Sequence, residues 1–272
     1  MKSAVTVSLV PETAGGPFVF HDGLADGCRR AAEAGFDAVE LFPPSADAVD
    51  TGQLKQLLDE HGLALSAIGT GAGWVVSKLH LVSADETIRA RARDFVAGII
   101  DLAGSFGAPA ILGSMQGRID QHVQRDTALG WLREMLTELG TRSATHGVPL
   151  LYEPLNRYET NVFSRLAQAA AFFREIEVDN LMLLCDLFHM NIEEPRHDTS
   201  IQKNADKIGY VHFADSNRHA AGFGHTDFGP IARTLSEIGY NGYLSAEVLP
   251  LPDSNTAAAQ TIKKLRELNL ID

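Results

Sequence analysis

The segment LLYEPLNRYETN, residues 150–161, is an apolar run that stops at Glu153 and Pro154 and then becomes polar at almost every position. Short runs of this kind, rich in aliphatic and aromatic residues, are typical of strands buried in a parallel sheet. Three later runs also carry an ionisable side chain at or near their end: LMLLCD (181–186), GYVHFAD (209–215) and GYLSAE (242–247). A buried strand that delivers a charged or titratable group is therefore a repeated unit of this chain.

Eight such apolar runs alternate with eight longer segments of helical period. The runs cover 4–10, 37–42, 63–69, 108–113, 148–153, 181–186, 209–215 and 242–247, and the helical segments cover 23–34, 52–61, 86–106, 126–146, 164–176, 198–206, 228–238 and 255–267. Eight strand–helix units of roughly thirty residues predict an α/β fold, a closed parallel (β/α)8 TIM barrel. An open doubly wound sheet is the alternative, but no glycine-rich nucleotide loop follows the first strand. Because no linker divides the sequence, we expect one domain over residues 1–272.

Four of the predicted helices end in the same way. EAGF, EHGL, THGV and EIGY place Gly35, Gly62, Gly147 and Gly239 between a helix and the next strand. Glycine adopts the left-handed conformation that ends a helix and reverses the chain. The recurrence of this signal supports a recurring strand–helix unit.

Composition narrows the class of protein. The chain has 272 residues and a net charge of −12, and an acidic surface disfavours nucleic acid as a partner. Two cysteines, Cys28 and Cys185, exclude a disulfide framework and a cysteine-rich zinc site. The sequence contains no apolar stretch of the length and character that would predict a membrane span or a signal peptide. We expect a cytoplasmic enzyme with no membrane partner.

The ionisable groups of the last four runs are Glu153, Asp186, His212 and Glu247. They lie about one strand–helix unit apart, so in a barrel they meet at the carboxyl ends of adjacent strands, where TIM barrels place their active sites. Three converging carboxylates repel one another unless a cation lies between them, whereas any one of them alone could belong to a buried salt-bridge network. The set predicts one divalent metal ion, with Mn²⁺, Mg²⁺ or Co²⁺ favoured and Zn²⁺ as a further candidate.

The motifs around these residues resemble a known family. EPLNRYETN, CDLFHMNIEE, VHFADSNR and SAEVLPLP are similar to motifs of the xylose-isomerase-like TIM barrels, and most of all to D-tagatose/D-psicose 3-epimerases and 5-keto-L-gluconate epimerases. Weaker similarity extends to GFDAVELF, SAIGTG and GSMQGR in the first half. The resemblance implies a carbohydrate substrate, and relatives in this family often form homodimers or homotetramers.

The resemblance also implies roles for individual residues. Glu153, Asp186, His212 and Glu247 would be the metal ligands, and Glu153 and Glu247 would in addition be the catalytic proton-transfer pair. His189, which we expect in the loop after the sixth strand, and Arg218 would hold substrate oxygens near the reacting carbons. Glu159 would bind a hydroxyl group further along the sugar.

Together, the site and the resemblance predict a divalent-metal-dependent epimerase or isomerase of a ketose or keto-sugar acid, with a sugar phosphate left open. A proton next to the carbonyl is abstracted, the resulting enediolate is stabilised by the metal, and two glutamates serve as acid and base. An aldose–ketose isomerase or an inosose-type dehydratase could use the same site. An apurinic-endonuclease-like phosphodiesterase and a non-catalytic sugar-binding barrel are the weaker alternatives.

Five further residues lie at the ends of predicted strands or in the segments that follow them. Glu40 is either a substrate contact or a partner of a ligand, and Trp74 is expected to cover the mouth of the site. Arg118 either forms a structural ion pair or binds a carboxylate or phosphate of the substrate. Arg157 is expected to pair with neighbouring acids, and His225 either contacts substrate at the rim or belongs to plain loop structure.

Overall fold

The computed structural model describes every residue from Met1 to Asp272. Eight parallel strands are hydrogen-bonded to one another in sequence order, and pairing of the first strand with the last closes the ring. The predicted (β/α)8 barrel is therefore confirmed. The strands are β1 (Lys2–Ser8), β2 (Ala38–Phe42), β3 (Ala64–Gly69), β4 (Ala110–Leu112), β5 (Leu150–Tyr152), β6 (Leu181–Asp186), β7 (Ile208–His212) and β8 (Tyr243–Ala246).

The helices surround this barrel, and all eight predicted ones are present. They are α1 (Leu24–Ala34), α2 (Thr51–His61), α4 (Glu86–Ser105), α5 (Arg125–Thr145), α6 (Leu166–Phe173), α8 (His197–Lys203), α9 (Phe228–Glu237) and α10 (Ser254–Glu267). Two short helices were not predicted: α3 (Ala72–Ser77) and α7 (Leu187–Glu193). Both begin within three residues of the end of a strand, so they lie on the carboxyl-end face of the barrel, and neither is long enough to produce a clear helical period. None of the helices combines the length and the apolar character that a membrane crossing requires.

The predicted glycine signals are confirmed. Gly35, Gly62, Gly147 and Gly239 all have positive φ angles, between 65° and 88°. A side chain at such a position strains the backbone, which explains why glycine recurs there. Each of these glycines turns the chain from an outer helix into the next strand of the barrel.

The interior of the barrel explains why the ionisable groups lie where they do. Side chains alternate between the two faces of a strand, so residues two apart point to the same face. Leu151, Leu184 and Tyr210 belong to a small apolar cluster inside the barrel, and each precedes Glu153, Asp186 or His212 by two positions. The apolar layer thus forms the floor on which the ionisable layer rests. The larger core, of 66 buried residues, packs the helices against the outside of the sheet.

Candidate active site

Four side chains from neighbouring strand ends converge at the carboxyl end of the barrel. Glu153, Asp186, His212 and Glu247 each direct one donor atom into a group whose atoms all lie within 4.8 Å of one another. Asp186 and His212 are the last residues of β6 and β7, and the two glutamates follow β5 and β8 directly. The structure therefore brings together the four residues predicted to bind metal.

Asp186 serves two purposes because its two oxygens face different partners. Its Oδ1 caps helix α7 by accepting hydrogen bonds from the backbone N–H groups of Phe188, at 2.8 Å, and His189, at 3.2 Å. Its Oδ2 lies 3.4 Å from His212 Nδ1 and is directed into the cluster. His189 was expected in a loop, and that prediction is wrong, since it lies in the first turn of α7. Capping by Asp186 starts this helix and so positions His189.

Glu40 binds His212 through the ring nitrogen that faces away from the cluster. The imidazole Nε2 lies 3.2 Å from each Glu40 carboxylate oxygen, and Tyr210 donates a hydrogen bond from its hydroxyl group to Glu40 Oε2 at 3.1 Å. The Ser66 hydroxyl lies 2.7 Å from the Tyr210 oxygen and extends this buried chain. Because a carboxylate only accepts hydrogen bonds, the arrangement places a ring N–H on Nε2, and Nδ1 faces the cluster, where it can bind a cation. Of the two interpretations of Glu40, the structure shows the partner of a candidate ligand.

The carboxylates of the cluster differ in their electrostatic surroundings. Burial raises the pKa of Glu153 to about 8, although His212 opposes the change. Burial also acts to raise the pKa of Asp186, but Arg218, His189 and His212 together outweigh burial and hold that pKa below its usual range. The protein's own charges thus stabilise an ionised Asp186 better than an ionised Glu153, and a cation among the donors would favour the ionised form of both.

The donor set fits a divalent metal ion. Glu153 Oε1 is buried and has no hydrogen-bond partner, which is costly for a carboxylate oxygen unless a cation satisfies it. Oxygen and imidazole donors suit Mn²⁺, Mg²⁺ and Co²⁺, and donors on opposite sides of such an ion lie roughly 4.3 Å apart. The observed spread of at most 4.8 Å is compatible with that geometry. We conclude that these residues can hold one metal ion.

Gly113 provides room for Glu153. A methyl group built on Gly113 would collide with Glu153 Oε2, and Gly113 follows β4 in the GSMQGR motif. A side chain at this position would therefore displace the carboxylate, so glycine here serves close approach rather than chain reversal.

Arg218 contacts the cluster itself. Its guanidinium forms ion pairs with Asp186, at 3.2 Å, and with Glu247, and it stacks over the Phe188 ring at 4.8 Å. Its backbone has a φ of 61°, a conformation that the Leu249 N–H stabilises by donating to the Arg218 carbonyl at 2.8 Å. Arg218 Nε is buried without a partner and remains a free donor at the site.

Asn156 connects the other two predicted substrate residues. Its side-chain amide lies 2.8 Å from His189 Nδ1 and donates to Glu159 at 2.7 Å. His189 is buried, whereas the Glu159 side chain is 49% exposed and lies nearer the solvent. As predicted, Arg157 pairs with an acid, since its Nε lies 2.8 Å from Glu193 Oε1. Asn156 was not predicted from the sequence, because an asparagine after a strand is common in loops.

A cavity of about 450 Å³ opens above the cluster. Glu153, Glu247 and Glu40 lie at its inner end, and Trp74 also lines it. The expectation that Trp74 covers the mouth stays a prediction. Arg118 also lines the cavity, whereas His225 lies in a separate groove beside α9. The structure thus favours plain loop structure for His225. A cavity of this size, with an apolar wall and convergent polar groups, is typical of a small-molecule site.

Comparisons with known proteins agree with the fold. Residues 28–268 match the family profile described as Xylose isomerase-like TIM barrel. The chain is 33% identical to an L-ribulose 3-epimerase of Mesorhizobium japonicum, over 79% of this chain and 72% of that protein, and 31% identical to a ketose 3-epimerase of Arthrobacter globiformis, over 81% and 76%. The crystal structure of a 3-keto-D-glucoside 4-epimerase from Escherichia coli superposes with a TM-score of 0.84 at 22% identity, covering 98% of this chain and 100% of the other.

Proposed function

Because this chain belongs to the xylose isomerase-like TIM barrel family, we propose that it is a divalent-metal-dependent epimerase or isomerase of a ketose or keto-sugar acid. One observation carries the proposal: three carboxylates and an imidazole converge within 4.8 Å at the inner end of a cavity large enough for a sugar. The epimerase names of two relatives that each align with more than two thirds of their length support the same chemistry.

We assign metal binding to Glu153, Asp186, His212 and Glu247. A divalent cation, with Mn²⁺ as the first candidate, would supply Lewis-acid polarisation of the substrate carbonyl. Glu40 orients the imidazole of His212 so that Nδ1 faces the other donors. Arg218 balances the negative charge of Asp186 and Glu247, so that three carboxylates can share one small volume.

We assign proton transfer to Glu153 and Glu247. They lie at the ends of β5 and β8, so they approach the cavity from different sides of the barrel rim. One carboxylate would remove the proton from the carbon beside the carbonyl, and the other would return a proton to the opposite face. The reverse reaction exchanges the two roles. Positioned acids and bases contribute about 10²–10⁴-fold each to such reactions.

The remaining predicted residues would orient the substrate. His189 Nε2 and the unpartnered Arg218 Nε lie beside the cluster and can reach oxygens on the reacting carbons. Glu159 is more exposed and lines the same cavity, so it would accept a hydrogen bond from a hydroxyl group further along the sugar. Together they would hold the sugar along the length of the cavity.

The test is solvent exchange during turnover. The Mn²⁺-loaded enzyme is incubated in D₂O with ketoses, ketose phosphates and keto-sugar acids, and the products are analysed by NMR and mass spectrometry. We expect deuterium at the carbon beside the carbonyl, together with inversion at that carbon. Turnover without deuterium incorporation would contradict the proton-transfer mechanism. An aldose product would indicate an aldose–ketose isomerase, and loss of water would indicate a dehydratase.

A further inference from the structure

Two cationic side chains line the cavity, and they differ in their partners. Arg218 is buried and paired with Asp186 and Glu247 at the inner end. Arg118 is exposed, and its one hydrogen bond runs from Nη1 to the backbone carbonyl of Tyr158 at 3.0 Å. No carboxylate lies within ion-pair distance of Arg118. Arg118 is therefore the arginine of this cavity that has no acidic partner. The structural ion pair that was one interpretation of Arg118 is absent.

Glu159 lines the same cavity as Arg118 but makes its contacts with other residues. Glu159 follows Tyr158 in sequence, but its carboxylate accepts a hydrogen bond from Asn156 at 2.7 Å and lies 3.8 Å from His189 Nδ1. Its negative charge is thus directed toward the inner end of the cavity. The guanidinium at the mouth stays available to a ligand.

The free edge of Arg118 has the geometry that binds a carboxylate. Because Nη1 is occupied by Tyr158, the parallel N–H groups of Nε and Nη2 remain unused. The same edge binds carboxylates elsewhere in this chain: Arg196 donates from Nε and Nη2 to the two oxygens of Asp198, at 3.1 and 2.6 Å. Arg142 binds Asp101 through the same two nitrogens. Such two-point pairing engages two oxygens of a carboxylate or of a phosphate.

The backbone on both sides of Arg118 is fixed in place. Thr160 donates from its hydroxyl group to the Gly117 carbonyl at 2.8 Å, and Asn161 exchanges two hydrogen bonds with the backbone of Ile119, at 2.7 and 3.0 Å. Gly117 has a φ of 86°, so the turn before Arg118 requires glycine. A preorganised arginine loses less entropy on binding than a freely rotating surface side chain.

We propose that Arg118 binds a carboxylate at the end of the sugar remote from the reacting carbons, and that the substrate is accordingly a keto-sugar acid. This inference rests on the proposed function. A carboxylate fits better than a phosphate monoester, because one guanidinium edge offers one charge and two donors, whereas a phosphate monoester carries about two charges and three acceptor oxygens. Glu153, Glu247 and Arg118 all line the same cavity of about 450 Å³, so one sugar can contact the glutamates and Arg118 together.

The experiment compares three substrates that differ at one end. They are a six-carbon 2-ketose, the same ketose with its terminal CH₂OH oxidised to a carboxylate, and its terminal phosphate monoester. The Mn²⁺-loaded full chain is assayed as wild type, R118Q, R118K and R125Q. Arg125 is the matched control, since it also donates to backbone carbonyls of this loop, those of Asn161 at 2.8 Å and Val162 at 2.6 Å, but does not line the cavity.

The decisive quantity is the ratio of kcat/KM for the acid to kcat/KM for the neutral ketose. We expect this ratio to fall by about 10- to 100-fold in R118Q, the size of a charge-assisted hydrogen-bond pair, and to fall less in R118K. The ratio in R125Q should remain at the wild-type value. Added salt should raise KM for the acid more than KM for the ketose, because the contact is solvent-exposed.

The possible failures are distinguishable. If no substrate exchanges its C–H proton with solvent, the proposed function is overturned and this inference with it. If the ketose exchanges but the ratio is the same in wild type and R118Q, the carboxylate assignment alone is overturned. If wild type prefers the phosphate monoester to the acid and R118Q loses that preference, the choice of carboxylate is overturned. An equal fall of the ratio in R125Q would show a general loop effect and would also contradict the proposal.

Discussion

Glu40 and His212, which are 172 residues apart, are joined through a single ring nitrogen that lies 3.2 Å from both carboxylate oxygens of Glu40. Both residues are buried, with 4% and 1% of their surface exposed. In this pair the carboxylate determines which imidazole nitrogen carries the proton, and the other nitrogen is left for the cluster. The relationship links strand β2, from the first half of the chain, to a candidate metal site built from the second half.

Replacing Glu40 should weaken metal binding. In Glu40→Gln the carboxylate charge is lost and the amide can donate to Nε2, which would shift the ring proton toward Nδ1. We expect Mn²⁺ affinity to fall by about 10- to 100-fold, as for other partners of metal-binding histidines. Isothermal titration calorimetry measures this. Ser66→Ala, which removes the most distant hydroxyl of the same chain, should have a smaller effect. Unchanged affinity in Glu40→Gln would contradict the orienting role.

Replacing either glutamate of the proposed acid–base pair should slow the chemistry. Glu153→Gln and Glu247→Gln keep a side-chain oxygen but cannot take up a proton, so exchange of the substrate C–H with solvent should fall by about 10²–10⁴-fold at saturating Mn²⁺ and sugar. The comparison is Glu159→Gln, in which we expect a rise in KM and a smaller change in kcat. Variants that bind metal and sugar yet keep full turnover would rule out the two-glutamate assignment.

Adding one carbon at Gly113 should disturb the site without unfolding the barrel. The new methyl group of Gly113→Ala would collide with Glu153 Oε2, so Glu153 must move. We expect at least a tenfold loss of Mn²⁺ affinity, the effect of a displaced donor. Gly130→Ala is the control, because a methyl group there meets nothing within 4 Å and lies in helix α5, where alanine is favoured by about 1 kcal/mol. Equal Mn²⁺ affinities in the two variants would contradict the close-approach role.

The loop that carries Arg218 should depend on an ionised Asp215. The Asp215 carboxylate accepts backbone hydrogen bonds from four N–H groups at 2.7–3.0 Å: those of Ser216, Gly222, Gly224 and Thr226. Burial alone would raise the pKa of Asp215, but these bonds outweigh it and lower the pKa. A lowered pKa in the folded state means that the stabilisation is present above the unfolded pKa of about 3.9 and is lost as pH falls through the folded value.

We therefore expect Asp215→Asn to be less stable than wild type by about 1.5–3 kcal/mol at neutral pH, and the difference to shrink below about pH 4. Urea unfolding at a series of pH values measures it. Asp59→Asn is the control, since Asp59 pairs with Lys55 on an exposed helix surface and should change stability by less than about 1 kcal/mol at any pH. A constant difference between Asp215→Asn and wild type at all pH values would contradict the charge effect.

The barrel was predictable because its signals are local. Glycines that end helices, such as Gly35 and Gly239, and short apolar runs between helical segments need no knowledge of distant contacts. The four candidate ligands were identified for the same reason, since each lies at or near the end of a buried run. By contrast, α7 escaped prediction because it is seven residues long and starts on the same Asp186 that ends β6.

The amino-acid sequence by itself determined the alternation of strands and helices, and with it the rim on which Glu153, Asp186, His212 and Glu247 meet. Only the tertiary structure decided which side chains pair across that rim: Glu40 with His212, Arg218 with Asp186 and Glu247, and Arg118 with no acid at all. The physical reason is that periodicity reports the local environment of a residue, whereas hydrogen bonds and ion pairs depend on distances between strands that are far apart in sequence. The chemistry of this site therefore depends on hydrogen bonds and ion pairs between distant residues, whereas the fold follows from the repeated strand–helix unit.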